Sequence, residues 1–184
     1  MIDKSSSTEQ ASAATHFPVD LLSQAERILT IARQQGLRIA TAESCTGGLV
    51  CGVLTEIPGS SNVVEGGFIT YSNDAKRTSI GVPADLLASQ GAVSELVARA
   101  MAEGALAHLP TADVAVAITG IAGPGGGSAT KPVGLVHFAA ARRGQTTRHA
   151  VHHFADTGRT AIRRQAVIVA LTLLEQIMTT STTT

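Results

Sequence analysis

Residues 41–48 read Thr41-Ala42-Glu43-Ser44-Cys45-Thr46-Gly47-Gly48. Before them, Leu37 to Ala42 is a short apolar run of strand length; after them, Leu49 to Glu56 reads as a helix. A strand that ends in a glycine turn and feeds a helix opens an α/β unit, because each element then has a partner on which to bury its apolar side. Outward from this turn the alternation continues. Asp20 caps a helix with Leu21, Ala25, Ile28, Leu29 and Ala32 at helical spacing, and Gly36 ends it. Pro58 to Asn62 is a loop, and Val63 to Tyr71 is a strand weakened by Gly66 and Gly67. Pro83 to Ser89 reads as a short helix. Ser94 caps a longer one, with Glu95 in its first turn and Val97, Met101, Ala105 and His108 along one face. Asp113 to Thr119 is a strand and Gly120 to Lys131 a glycine-rich loop. Val133 to Ala141 and Arg148 to Phe154 are two strands, joined by a turn at Arg142-Arg143-Gly144-Gln145. A final helix runs from Arg159 to Met178, with Ile162, Ala166, Val169, Leu173 and Ile177 inward. Helices interleaved with strands, plus one late hairpin, predict an α/β single-domain layered sandwich with a mixed β-sheet flanked by helices. The domain is expected over 19–178, with disordered tails at 1–18, rich in Ser, Thr and Ala, and at 179–184, mostly Thr.

Composition narrows the function. Of 184 residues, 44% are hydrophobic and 15% charged, which is the balance of a globular chain able to build its own core. Fourteen Lys and Arg match fourteen Asp and Glu, so no net positive field exists to drive duplex nucleic-acid binding. One Tyr, four Phe and no Trp leave little for a base-stacking platform. No apolar run approaches 18 residues and the N-terminus lacks an apolar signal core, so no membrane partner is expected. The two cysteines, Cys45 and Cys51, form no CxxC, and a reducing cytoplasmic setting is expected.

Three strand-to-loop junctions could carry chemistry, since ligands in open α/β sheets bind at the carboxyl ends of strands. In the first, Glu43 to Gly48, glycines permit close backbone approach, free N–H groups at a helix start attract an anion or oxyanion, and Ser44, Cys45 and Thr46 supply nucleophile-type groups. Neither GxSxG nor a P-loop is matched. The competing reading is a Ser/Thr cap with small residues for packing. The second, Gly67 to Lys76, holds the single Tyr71 and, five residues on, Lys76; a Lys of depressed pKa can serve a Ser as base, although a solvated Lys after a turn at Asn73-Asp74 is the plainer alternative. The third, Gly120 to Pro132, packs five glycines into one loop after an apolar strand. It suggests backbone wrapped around a ligand or, more blandly, a flexible surface loop. His149 and His153 share a strand face and His152 points away, without carboxylates at metal spacing, so no metal site is expected. Arg159, Arg163 and Arg164 open the last helix against its macrodipole, which hints at an anionic ligand or else a solvated face.

Five segments occur in fixed order: TAESCTGG, EGGFITYSNDAK, GAVSE from Gly91 to Glu95, TGIAGPGGGS followed by KPVG, and the Arg-rich start of the last helix. Together they resemble the CinA C-terminal domain family, the nicotinamide mononucleotide deamidases, over about residues 20 to 178. The resemblance implies an amidohydrolase that converts nicotinamide mononucleotide to nicotinate mononucleotide and ammonia in pyridine-nucleotide salvage, without metal or cofactor. It implies Ser44 as nucleophile, Lys76 as base and Tyr71 as helper, with Glu43, Thr46, Gly47, Gly48, Thr119, Gly120 and Arg159 lining the ligand site. The family's Gly-Asp-Arg is replaced here by Asp156-Thr157-Gly158-Arg159, which displaces the Asp. The family also occurs fused to a larger N-terminal domain, whose activities are not assigned to this chain. A serine hydroxyl needs a neighbouring base to attack an amide, which a desolvated Lys can supply without His; backbone N–H groups near Thr46 to Gly48 are the expected oxyanion donors. Cys45 is the rival nucleophile, but with no paired His its thiol stays mostly protonated. A non-catalytic nucleotide-binding module is the competing class of function. The apolar final helix suggests a homodimer contact.

Overall fold

The structure, a computed structural model, describes residues 16–180. The expected tails lie largely outside them; of the residues that do not, Phe17 packs against the core. The elements in chain order are α1 (Val19–Gln35), β1 (Ile39–Glu43), α2 (Leu49–Thr55), a 3₁₀ turn (Ser60–Asn62), β2 (Val64–Ile69), α3 (Asn73–Ile80), α4 (Ala84–Gln90), α5 (Glu95–His108), β3 (Val114–Gly120), β4 (Leu135–Arg142), β5 (Arg148–His153) and α6 (Arg159–Thr179). Helix α1 starts at Val19 with Pro18 before it, so Asp20 lies in the first turn, where it favours the macrodipole, rather than at the cap. Helix α3 lies where the sequence pattern predicts only a turn. Ser72 caps it by accepting from the Ala75 N–H, and Gly81 closes it in the left-handed region.

The five strands form one mixed sheet in the order β2-β1-β3-β4-β5. β1 runs parallel to both β2 and β3, while β4 and β5 return antiparallel as the expected hairpin. Alternation along the strands divides the interior into two layers. Val114, Val116, Ile118, Val136 and Phe138 face α1, α2 and α6. Ala40, Ala42, Ala115, Ala117, Ala139 and Ala141 face α3, α4 and α5. An alanine-lined face lets α5 approach the sheet closely, and the bulky face is filled by the long apolar helices. Ile162, Ala166, Leu171, Leu174 and Ile177 of α6 are buried within the chain, and Ile168 and Val169 are partly buried. Among the described residues, no helix is long and apolar enough to cross a membrane.

This order places a site. From β1 the chain crosses through α2 on one face to β2, then returns through α3, α4 and α5 on the other face to β3. The two crossovers leave in opposite directions, so the carboxyl ends of β1 and β3 flank a crevice, the usual ligand position in such sheets. Ser44 follows β1 and donates its N–H to the Ile118 carbonyl of β3 (2.9 Å). Thr119 and Gly120 end β3 beside it.

Candidate active site

The turn after β1 is built by its two glycines. Gly47 (φ +61°) and Gly48 (φ +95°) adopt backbone conformations that L side chains rarely hold, and they let the chain reverse into α2 within three residues. From the other crossover, α3 carries Lys76 back toward the turn. Its side chain is 1% exposed, and its Nζ donates to the Ser44 Oγ (3.0 Å) and to the Thr70 carbonyl (2.7 Å). The solvated Lys76 is thereby replaced by a buried one. Among the described residues no carboxylate contacts the Nζ, and burial pushes its pKa down to about 8. A Lys so placed is available as a neutral amine near neutral pH, next to a hydroxyl that it can deprotonate. Ser44 itself is buried to within a small opening.

The rival nucleophile is disfavoured by the same burial. Cys45 points into the layer beneath α6, and desolvation, with the Glu43 charge adding to it, raises its thiol to about 11. Cys51 is also shifted up, first by burial and then by Glu43. Replacing Cys45 with Ala is therefore expected to leave activity within about threefold of the parent, measured as initial rates on the folded variant; a complete loss would transfer the nucleophile to sulfur.

The other residues from the sequence reading divide by what they touch. Glu43 is fully buried and faces the protein, not the crevice. Its carboxylate accepts from the N–H groups of Gly48 (2.9 Å), Val50 (3.1 Å) and Cys51 (2.8 Å). Gly47 N–H is committed to the Ser44 carbonyl (3.0 Å). The expected oxyanion donors at Gly47 and Gly48 are thus already used inside the turn. The Thr119 hydroxyl donates to the Ala92 carbonyl (2.8 Å), tying the end of β3 to the link before α5. Gly120 has no room for a side chain, since a Cβ would fall 2.6 Å from Val136 Cγ2. Tyr71 is 61% exposed at the rim; its hydroxyl accepts from Arg159 (3.0 Å), and its contact is not with the Ser44–Lys76 pair.

The three arginines of α6 find partners within the chain. Arg159 also donates to the Gly123 carbonyl (2.8 Å) of the glycine-rich loop. Arg163 reaches under the turn after β1 to the carbonyls of Cys45 (3.0 Å) and Thr46 (2.9 Å), and Arg164 pairs with Asp20 (3.1 Å). Their place at a helix start is offset by these acceptors, and only Arg159 faces the crevice rim. The histidines likewise pack. His137 Nδ1 lies 3.0 Å from His149 Nε2, and His152 stacks on Phe154. Sequence reasoning missed Thr70, whose carbonyl holds the Lys76 amine; a backbone acceptor leaves no residue-type signal. The buried hydroxyls of Thr46 and Thr70 have no protein partner among the described residues.

Comparison with known proteins places the chain in a family. The model of the CinA C-terminal domain matches residues 22–178. A CinA-like protein of Akkermansia muciniphila is 57% identical over 115 residues, 62% of this chain and 28% of that protein. A CinA-like protein of Anaeromyxobacter sp. (strain K) is 51% identical over 148 residues, 79% of this chain and 36% of that protein. The chain therefore spans about a third or less of these relatives' length. Among solved structures, the competence/damage inducible protein CihA from Agrobacterium tumefaciens superposes with a TM-score of 0.87 at 52% identity, covering 89% of this chain and 99% of that one. A CinA superfamily protein from Escherichia coli does so with a TM-score of 0.81 at 34% identity, covering 89% and 94%. A domain-length match in sequence, the same mixed sheet and the ordered motifs around Ser44 and Lys76 lead to one assignment: the chain belongs to the CinA C-terminal domain family.

Proposed function

We propose that the protein is an amidohydrolase that cleaves the carboxamide of nicotinamide mononucleotide to the carboxylate and ammonia, as a step of pyridine-nucleotide salvage. The observation that carries this reading is the 3.0 Å contact between the Lys76 Nζ and the Ser44 Oγ, buried at the carboxyl end of β1. In the proposed reaction the neutral Lys76 amine takes the Ser44 hydroxyl proton as Oγ bonds to the amide carbon. Lys76 then gives that proton to the leaving nitrogen as the C–N bond breaks, and ammonia departs. Water adds to the resulting ester and loses a proton to Lys76. The acid is released as Ser44 regains its hydrogen. Tyr71 and Arg159, linked at the rim, are the groups we assign to contact with the nucleotide.

The test is ammonia release from nicotinamide mononucleotide by the parent, Ser44→Ala and Lys76→Ala. Turnover by the parent and its loss in both folded variants supports the reading; a parent that binds the nucleotide without turnover replaces it with a binding module. The base also sets a pH dependence. Only the neutral amine accepts the proton, so kcat/KM is expected to rise tenfold per unit at low pH and to level off above about 8. A profile flat from pH 6 to 9 would remove Lys76 from the role of base.

A further inference from the structure

We infer that Glu43 is a positioning residue, whose carboxylate stands in for a bound anion at the start of α2 and so holds the Ser44 hydroxyl against Lys76. The inference rests on the amidohydrolase reading above. The first N–H groups of a helix have no partner within it and attract negative charge, and a sequence with glycines at this point advertises a pocket for a ligand anion. Here that position is occupied from within. Glu43 is the last residue of β1, and its side chain folds forward under the turn. Oε2 takes the N–H groups of Gly48 and Val50, and Oε1 takes that of Cys51 and the Thr41 hydroxyl (3.4 Å). Its own main chain is fixed as well, since the Glu43 carbonyl accepts from the Thr70 N–H (2.8 Å). Thr70 is the residue whose carbonyl holds Lys76.

One residue is therefore bonded to the segment behind the nucleophile and to the segment that orients the base. From the opposite side Arg163 holds the Cys45 and Thr46 carbonyls, so the turn is gripped through its N–H groups by one charge and through its carbonyls by the other. Glu43 does not itself touch substrate; what it sets is the distance between Ser44 and Lys76. Gln has the same shape but only one acceptor oxygen, and its NH₂ would face an N–H that needs an acceptor.

The experiment compares Glu43→Gln with the parent and with Val53→Ala, a variant that removes buried volume from α2 without touching the turn. Two readouts are taken on protein verified as folded: kcat and KM for nicotinamide mononucleotide, and the rate at which a fluorophosphonate labels Ser44. The expected result is a fall of about 100-fold in kcat with KM within about threefold, a parallel slowing of labelling, and near-parental values for Val53→Ala. Glu43→Gln falling no further than Val53→Ala in both readouts overturns the inference. A parent that is labelled but does not hydrolyse the nucleotide sinks the substrate reading alone, and Glu43 is then judged by the labelling rates. A parent that is not labelled at all overturns the inference with the reading. If Glu43→Gln does not fold, Glu43→Asp, whose carboxylate stops one methylene short of the helix, is judged by the same comparison.

Discussion

Replacing Lys76 with Met is expected to abolish turnover and at the same time to make the protein more stable at pH 7. Loss of the base from a nucleophile–base pair costs at least about 10⁴-fold in kcat when the two act as a unit. The stability gain follows from the same burial. The Lys76 pKa is lowered from 10.5 to about 8, so the fold disfavours the protonated form. Below pH 8 the whole penalty is present, about 3 kcal/mol at roughly 1.4 kcal/mol per pKa unit. Between pH 8 and 10.5 the unfolded chain binds more protons than the native one, and the parent's stability rises with pH through that window. Met fills the same space without a charge. It leaves the Thr70 carbonyl without the amine, at a cost of about 1 kcal/mol, so a net gain of about 2 kcal/mol is expected at pH 7. Urea denaturation at pH 7 and at pH 10 reads both parts: the gain should be clear at pH 7 and mostly gone at pH 10. A less stable Met variant at pH 7 would mean that Lys76 is not a charge buried at a penalty.

A second large effect is expected at Gly104, in the middle of α5. By helix propensity alone Gly104→Ala should stabilise by up to about 1 kcal/mol. The packing predicts the reverse. A Cβ there would lie 2.0 Å from the Ile80 carbonyl oxygen, at the last residue of α3. That atom is backbone and cannot rotate away, so the two helices must separate by more than an ångström. A net destabilisation of about 3 kcal/mol or more is expected, as for other overpacked core sites. Lys76 sits one turn before Ile80 on the same helix, so the displacement also draws the amine from Ser44, and kcat should fall along with the denaturation midpoint. A stabilised and fully active Gly104→Ala would show that α3 and α5 are not in the contact described.

Most of the fold could be read from residue order, because strongly periodic segments such as Leu21 to Ala32 and Asp113 to Thr119 state their own burial. Helix α3 could not. Asn73-Asp74-Ala75-Lys76-Arg77-Thr78-Ser79-Ile80 offers only Ala75 and Ile80 as apolar residues, and its buried residues are Lys76 and Ile80. A buried lysine reads in sequence as a solvated one; the cap at Ser72 and the stop at Gly81 were the available signals. At the site, nearness in sequence pointed to Ser44 and the turn glycines. The chemical meaning of Glu43 was hidden, because a carboxylate beside a glycine turn looks the same whether it faces a ligand or its own helix. The three arginines misled for a related reason: cations at a helix start suggest an anion, whereas Arg163 and Arg164 answer to carbonyls and to Asp20 brought in by tertiary packing.

Ser44 and Lys76 reach the crevice by crossovers packed on opposite faces of the sheet, 32 residues apart in the chain. Neither helical layer alone brings a hydroxyl and an amine together. During refolding, the proposed activity would therefore return only with the slower of the two layers, after far-ultraviolet circular dichroism has recovered most of its amplitude. During gentle heating it would vanish at the first local opening of either layer, which makes turnover an early warning of structural loss that bulk spectroscopy would register later.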